Sequence, residues 1–131
     1  MIGRVYLDAS AAVKLVLNER ESGALAAYLS IPRTRMSSRV LEVEVLRAVR
    51  RVKPESEEQA RVLLAVTEFV ELDAEIGATA GALAPPALRS LDAIHLASAL
   101  TLGAELDAFI TYDARQAEAA RSLGLPVESP A

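Results

Sequence analysis

Three aspartates occupy positions where a buried carboxylate has chemical consequences. Asp8 directly follows the β-branched and aromatic run 4–7, and Asp113 follows a second apolar run after one intervening residue. Asp92 lies in segment 90–102, the most apolar stretch with helical spacing in the chain. Because a charge in a buried helix must be paired, protonated or bound to a cation, Asp92 is the most informative of these acids.

Each aspartate also has a purely structural interpretation. Asp8 and Asp113 are both placed to cap a following helix, since an aspartate side chain accepts hydrogen bonds from the first free N–H groups of a helix. Asp92 can be a first-turn acid behind a Ser90 cap, favoured by the helix dipole, or can pair with Arg89. The acids taken together are harder to explain as unrelated caps.

A fourth acid comes from the predicted helix 40–52, which carries both Glu42 and Glu44. At about 100° per residue the two side chains point about 200° apart, so they cannot both enter one site. The other glutamate is expected to be solvated and paired with an arginine such as Arg47. Both glutamates border the apolar stripe of this helix, so helical geometry alone leaves the choice between them open.

A cluster of carboxylates predicts a particular kind of metal chemistry. Oxygen ligands without histidine or cysteine select hard cations such as Mg²⁺ and Mn²⁺, which bind one or two carboxylates and keep several waters. Such a cation typically handles phosphate, so hydrolysis of a phosphodiester is the expected reaction. Glycoside hydrolysis also uses paired carboxylates, but the chain has only three Tyr and two Phe as sugar platforms. The absence of cysteine excludes a cysteine-based zinc site.

The segments that must position these acids alternate between strands and helices. Short β-branched or aromatic runs predict strands, and apolar positions three and four residues apart predict helices. This alternation indicates an α/β fold with a mainly parallel sheet of four or five strands and helices on both faces, with sites at the carboxyl ends of the strands. The predicted strands are 4–7, 69–72 and 108–111, with shorter candidates at 35–37 and 126–127, and the predicted helices are 9–17, 21–29, 40–52, 57–66, 73–83, 90–102 and 114–123.

Length and composition set the scale of the molecule. A chain of 131 residues, 52% of them hydrophobic, predicts a single domain spanning 1–131 with its own core. No uncharged run reaches the roughly 20 residues that a membrane span needs. The N-terminal residues lack the apolar core of a signal peptide. We therefore expect a cytoplasmic protein without a membrane partner.

Four stretches of the sequence resemble the PIN domain, and in particular its VapC toxin branch. They are DASA from Asp8, EVLRA from Glu44, LDAIHLA from Leu91 and TYD ending at Asp113. The LDAIHLA stretch is the most specific of them. The resemblance runs in the right order over nearly the whole chain.

This resemblance implies a PIN-like three-layer sandwich and a Mg²⁺- or Mn²⁺-dependent endoribonuclease. It implies a homodimer, and a toxin that a cognate VapB-type antitoxin holds inactive. Its acidic quartet matches Asp8, Glu44, Asp92 and Asp113 as catalytic and metal-binding residues, which favours Glu44 over Glu42. Its supporting hydroxyls match Ser10 and Thr111. His95 belongs to the signature without a catalytic role, and as the only histidine, on an apolar helix, it is expected to be a satisfied core residue.

An RNA substrate also needs positive charge outside the acidic centre. The net charge of −4 argues against a generally cationic surface, and it equals the charge of the four matched acids. Solvated helix faces or an antitoxin-docking surface are equally open interpretations of the basic residues. Half of the 14 basic residues lie within 33–53, namely Arg33, Arg35, Arg39, Arg47, Arg50, Arg51 and Lys53.

Other interpretations remain open at this point. A receiver-like domain would use Asp73 as a phosphoacceptor, but it needs a second acid beside Asp8 and a lysine late in the chain, and neither is present. A catalytically silent PIN-like module that binds RNA or a partner is the main alternative. An apolar stripe in the early helices fits an antitoxin groove, a dimer face or ordinary core packing equally well, and comprises Val13, Val16, Leu17, Leu25 and Leu29.

Overall fold

The computed structural model describes residues 3–131. Residues 1 and 2, which belong to the predicted domain 1–131 and to the N-terminal segment considered above, lie outside the described residues. The first half of the chain forms β1 (Gly3–Leu7), α1 (Ala9–Lys14), α2 (Ser22–Tyr28), β2 (Arg33–Ser38), α3 (Val40–Val52), α4 (Glu57–Ala65) and β3 (Glu68–Val70). The second half forms α5 (Ala74–Ala82), α6 (Ser90–Leu100), β4 (Leu106–Ile110), α7 (Ala114–Ser122) and β5 (Val127–Glu128). Short 3₁₀ turns at Pro54–Ser56 and Gly103–Glu105 precede α4 and β4.

The five strands form one parallel sheet in the order β3-β2-β1-β4-β5. The chain builds outward from β1 to β3 and then returns to place β4 on the other side of β1. The strand order therefore reverses between β1 and β4. Ligands of open α/β sheets bind at the carboxyl ends of the strands beside such a reversal.

Alternating side chains of the central strands face two separate cores. Val5 and Leu7 join a cluster with buried residues of α1 to α4, including Leu41 and Val45. Tyr6 points to the opposite face and joins a cluster with residues of β4, α6 and α7. Because successive strand residues point to opposite faces, helices cover both sides of the sheet. The predicted three-layer α/β sandwich is confirmed.

Several element boundaries differ from the sequence prediction. The segment 35–37 is part of a six-residue strand, β2, paired on both sides. The predicted helix 9–17 ends at Lys14, because the N–H groups of Leu15 and Val16 bond carbonyls three residues back and tighten the last turn. Closing bonds of the same kind at Thr101 and Leu102 end α6 at Leu100.

The apolar stripe of the early helices belongs largely to the core. Leu17, Leu25 and Leu29 are buried, and Val13 and Val16 pack against the same cluster. Core packing therefore accounts for this stripe. Within residues 3–131 no helix has the length and apolar character that a membrane span requires.

Candidate active site at the carboxyl edge of the sheet

Asp8 leaves the end of β1 with its carboxylate buried at the edge of the sheet. Only 3% of the residue is exposed. Its Oδ1 accepts hydrogen bonds from the Ser10 hydroxyl at 2.6 Å and from the Ala11 N–H at 3.0 Å, and its Oδ2 accepts one from the Thr111 hydroxyl at 2.5 Å. Burial raises the pKa of Asp8, and this effect outweighs the hydrogen bonds from the Ser10 and Thr111 hydroxyls, which lower the pKa. Asp8 is therefore both the N-cap of α1 and a strongly desolvated acid.

The two hydroxyls join the neighbouring ends of β1 and β4. Ser10 Oγ lies 3.3 Å from Thr111 Oγ1 and accepts a hydrogen bond from the Tyr112 N–H at 2.9 Å. Thr111 Oγ1 accepts one from the Asp113 N–H at 3.2 Å. The predicted supporting residues Ser10 and Thr111 thus hold Asp8 and orient the chain that leads into Asp113.

Asp113 caps α7 with one of its two carboxylate oxygens. Oδ1 accepts hydrogen bonds from the N–H groups of Arg115 at 2.9 Å and Gln116 at 3.1 Å. Within the described part of the chain, Oδ2 accepts no hydrogen bond. The capping interpretation is therefore correct for Asp113 as well as for Asp8, and it leaves one oxygen of Asp113 free for a ligand.

Asp92 projects from the first turn of α6 and lines the same cavity as Asp113. Burial raises the pKa of Asp92, and the negative charges of Asp113 and Asp8 raise it further. The predicted Ser90 cap is wrong, because Ser90 is already the first helical residue and Arg89 occupies the N-cap position without a side-chain hydrogen bond. No ion pair joins Arg89 to Asp92 among residues 3–131. Asp92 is thus an acid crowded by other acids.

A residue that the sequence analysis missed joins the two helices that carry these acids. Gln116 is fully buried on α7, and its Nε2 donates a hydrogen bond to the backbone carbonyl of Asp92 at 3.2 Å. The Asp-x-x-Gln spacing from Asp113 has the form of a capping box. Here the glutamine side chain reaches across to α6 instead of back to its own helix, which the spacing alone does not reveal.

Glu44 is held in place by a buried histidine. Its Oε1 lies 2.6 Å from His95 Nε2, and the other ring nitrogen, Nδ1, lies 2.7 Å from the Tyr6 hydroxyl. His95 is 1% exposed, and in the neutral Nε2–H tautomer it donates to Glu44 and accepts from Tyr6. The prediction that His95 is a satisfied core residue is confirmed, and the structure adds its contact with Glu44.

The two candidate glutamates lie in different environments. The side chain of Glu44 is 16% exposed, whereas that of Glu42 is 46% exposed and pairs with Arg39 at 3.2 Å. The other glutamate is solvated and paired with an arginine, as predicted, but that arginine is Arg39, one turn before Glu42, and not Arg47. The geometry favours Glu44 as the acid directed towards α6.

The basic segment 33–53 is not a uniform cationic surface. Arg39 is paired with Glu71 as well as Glu42, and Arg50 is paired with Glu57. Arg33 lies over the Tyr28 ring and donates to the Tyr28 carbonyl. Among the residues that the structure describes, Arg35, Arg47, Arg51 and Lys53 form no ion pair.

The acids at this edge do not enclose a preformed cage. Within residues 3–131, no three acidic or histidine side chains lie close enough together to hold one ion. Both oxygens of Asp8 are already occupied by internal hydrogen bonds, as is Oε1 of Glu44. In this described part, the Asp92 carboxylate and Oδ2 of Asp113 accept no hydrogen bond.

Comparison with known proteins agrees with this architecture. The PIN domain family model matches residues 5–122. Ribonuclease VapC35 of Mycobacterium tuberculosis is 49% identical over 131 residues, with 96% of each chain covered. Ribonuclease VapC46 of the same organism is 42% identical over 126 residues, covering 96% of this chain and 97% of its own.

Solved structures show the same fold at low sequence identity. Mycobacterium tuberculosis VapC20, a Sarcin-Ricin loop cleaving toxin, has a TM-score of 0.71 and 15% identity, with 92% of this chain and 95% of that chain covered. Rickettsia felis VapBC2, solved with a DNA fragment from their promoter, has a TM-score of 0.74 and 15% identity, with 98% and 99% covered.

A parallel α/β sheet with acids gathered beside its strand reversal is the arrangement that the PIN resemblance implied. The family match covers most of the chain, and the identities to curated relatives extend over nearly all of it. The chain belongs to the PIN-domain family and, within it, to the group of the VapC proteins. The resemblance stated from the sequence is confirmed.

Proposed function

We propose that the chain is a Mg²⁺- or Mn²⁺-dependent endoribonuclease and the toxin of a toxin–antitoxin pair. The observation that carries the proposal is the gathering of Asp8, Asp92 and Asp113 at the carboxyl edge between β1 and β4, where the charges of two of them raise the pKa of the third. Relatives that are named ribonuclease VapC, and that match this chain over nearly its whole length, support RNA as the substrate.

The free oxygens fit a hydrated hard cation. Mg²⁺ usually keeps several waters and takes one or two protein carboxylates, and Asp92 and Asp113, which line the same cavity, supply that donor set. Such a cation would lower the pKa of a bound water and neutralise charge on the phosphate. The crowding of negative charge at Asp92 favours a cation here over a neutral ligand.

The other acids would act from better-fixed positions. Asp8 is locked by two hydroxyls and a backbone N–H, so its charge is oriented before any substrate arrives. Glu44 is oriented by His95 in the same way. Such fixed carboxylates would orient the waters of the cation, which is the preorganisation that hydrolysis requires.

The proposal includes a protein partner. Support comes from the Rickettsia felis structure, which holds a VapBC2 toxin–antitoxin complex, and from the identity to VapC proteins. We therefore expect a VapB-type antitoxin to bind and silence this chain, and the chain itself to form a homodimer. Co-purification with a co-expressed antitoxin, followed by loss of RNA cleavage, tests the first expectation, and light scattering tests the second.

The main alternative is a PIN-like module that binds RNA without cutting it. Asp113→Asn separates the two, because asparagine caps a helix as well as aspartate does while removing the charge. Asp73→Asn is the matched control, since Asp73 caps α5 by accepting the Ile76 N–H at 2.8 Å, outside the candidate site. Cleavage and binding of a labelled single-stranded RNA, together with thermal unfolding, are measured for both variants and the wild type with Mg²⁺ present.

The enzyme proposal predicts cleavage by the wild type and Asp73→Asn, and loss of cleavage in Asp113→Asn without loss of thermal stability. Binding without cleavage by all three proteins would establish the silent module instead. Equal cleavage by all three would show that the acidic edge is not the active site.

A further inference from the structure

No aromatic side chain of residues 3–131 lines the cavity that Asp92 and Asp113 share. Tyr6 and Phe109 are buried and stack on each other with ring centroids 5.2 Å apart. The other three rings each carry a cation on one face: Tyr28 beneath Arg33, Phe69 beneath Arg39 and Tyr112 beneath Lys14. These five are all the aromatic residues of the chain. A nucleobase bound in that cavity would therefore contact non-aromatic side chains.

A cavity of about 480 Å³ opens beside the candidate acids. Asp92 and Asp113 contribute to its lining, Pro85 and Leu88 come from the segment before α6, and Ala119 comes from α7. Ligand sites usually have volumes of about 300–1,000 Å³ and mainly apolar walls with a few polar groups. The cavity has the size and lining of a ligand site, and it shares two residues with the candidate active site.

Two arginines give the cavity side chains that can stack on a planar ring and donate to a phosphate. Arg89 precedes α6, Arg115 lies in the first turn of α7, and both line the cavity. Both residues are exposed, and neither forms an ion pair among residues 3–131. Guanidinium planes stack on unpaired bases in RNA recognition, and they also donate to phosphate oxygens. The charges of Asp92, Asp113 and Glu118 on the same walls disfavour an anion without a cation beside it.

We propose that this cavity is a subsite for one unpaired nucleobase of the RNA, next to the phosphate that is cleaved. The base would lie against the apolar wall of Leu88 and Ala119, and Arg89 and Arg115 would contact its ring and the adjoining phosphate. The inference rests on the proposed function, because it places the base by reference to the acids. If the cavity binds one base better than the others, it sets the nucleotide preference at the cleavage position.

The test uses substitutions that add a side chain to the cavity lining or remove one from it, and it leaves the acidic residues unchanged. Ala87→Phe adds a ring at an exposed cavity-lining position, and Ala82→Phe makes the same change at an exposed position outside the cavity. Arg115→Ala removes a lining cation, and Arg121→Ala removes an exposed arginine of the same helix that does not line the cavity. Circular dichroism and thermal unfolding verify that all four variants fold.

The first readout is the binding of the four ribonucleoside 5′-monophosphates in the presence of Mg²⁺, which is measured by NMR titration. The wild type should bind at least one of them preferentially. Ala87→Phe and Arg115→Ala should weaken that binding about fivefold or more, the scale of losing one stacked base, while the two control variants should match the wild type. Equal binding by all five proteins, or no binding by the wild type, would overturn the subsite.

The second readout is the nucleotide preference at the cut site, measured by sequencing the cleaved ends of a randomised RNA. Ala87→Phe should flatten the preference, and Ala82→Phe should retain it. An unchanged preference in Ala87→Phe, with cleavage intact, would overturn the subsite and leave the proposed function standing. If the wild type cleaves no RNA, the proposed function fails, and the nucleotide titration still decides whether the cavity binds a base.

Discussion

Replacing Thr111 by valine should expose how strongly the hydroxyls support the buried Asp8. Valine keeps the branched shape of threonine and removes only the hydroxyl. That hydroxyl donates to Asp8 Oδ2 at 2.5 Å and accepts a hydrogen bond from the Asp113 N–H at 3.2 Å, and Thr111 is fully buried, so no water can replace it without rearrangement. A hydrogen bond to a charged group contributes about 1.5–3 kcal/mol, so we expect Thr111→Val to lower the free energy of unfolding by at least that amount at pH values above the folded-state pKa of Asp8.

The effect should depend on pH with a definite sign. Burial raises the pKa of Asp8 above its ordinary value, so ionised Asp8 opposes folding. This cost begins to fall as the pH drops below the folded-state pKa, and it is gone below the unfolded-state pKa. Because the Thr111 hydroxyl lowers the pKa, its removal raises the pKa of Asp8 further. The stability difference from the wild type should therefore shrink in acid to the value of a neutral hydrogen bond, about 0.5–1.5 kcal/mol.

The assay is urea unfolding of wild type and variant at a series of pH values from neutral to mildly acidic. Thr67→Val is the matched control, because Thr67 is also buried and its hydroxyl donates to the backbone carbonyl of Leu63 at 2.7 Å, with no carboxylate involved. Its cost should stay constant with pH. A cost of Thr111→Val that is equally constant, or absent, would refute the account of Asp8 as an acid held against its own desolvation.

Three further predictions concern neighbouring contacts. Tyr6→Phe should lower the free energy of unfolding by about 1–3 kcal/mol in urea titrations, because it leaves buried His95 Nδ1 without its partner at 2.7 Å; an unchanged midpoint would contradict this. Glu44→Gln should reduce the initial rate of RNA cleavage about tenfold or more and Glu42→Gln should not, and the opposite order would reassign the fourth acid. Asp92→Asn should raise the melting temperature at neutral pH without added cation, since a pKa raised by burial, Asp113 and Asp8 means that the ionised form opposes folding; a lower melting temperature would contradict this.

The sequence was sufficient to predict the fold class and the region of the site. Alternating strands and helices predicted the parallel sheet, and an acid directly after a strand must lie at the carboxyl edge whichever strand is its neighbour. The adjacency of β1 and β4 is a property of strand order. It brings Thr111 onto Asp8 across 103 positions of sequence.

The contacts that the sequence did not predict are made by side chains distant along the chain. Glu44 and His95 are 51 residues apart, and no local pattern indicates that α3 and α6 meet there. Gln116 has the spacing of a capping box but bonds to Asp92. Helical periodicity gives the direction of a side chain around its own axis. It does not predict which residue of another element lies in that direction.

The initial rate of RNA cleavage as a function of Mg²⁺ concentration tests the central claim most directly. It is measured for the wild type and for Asp92→Asn on one labelled single-stranded RNA, with EDTA as the zero point. The account predicts a wild-type rate that is lost in EDTA and restored by Mg²⁺, and no comparable rate for Asp92→Asn at any concentration. Equal rates for the two proteins, or wild-type cleavage that persists in EDTA, would contradict it.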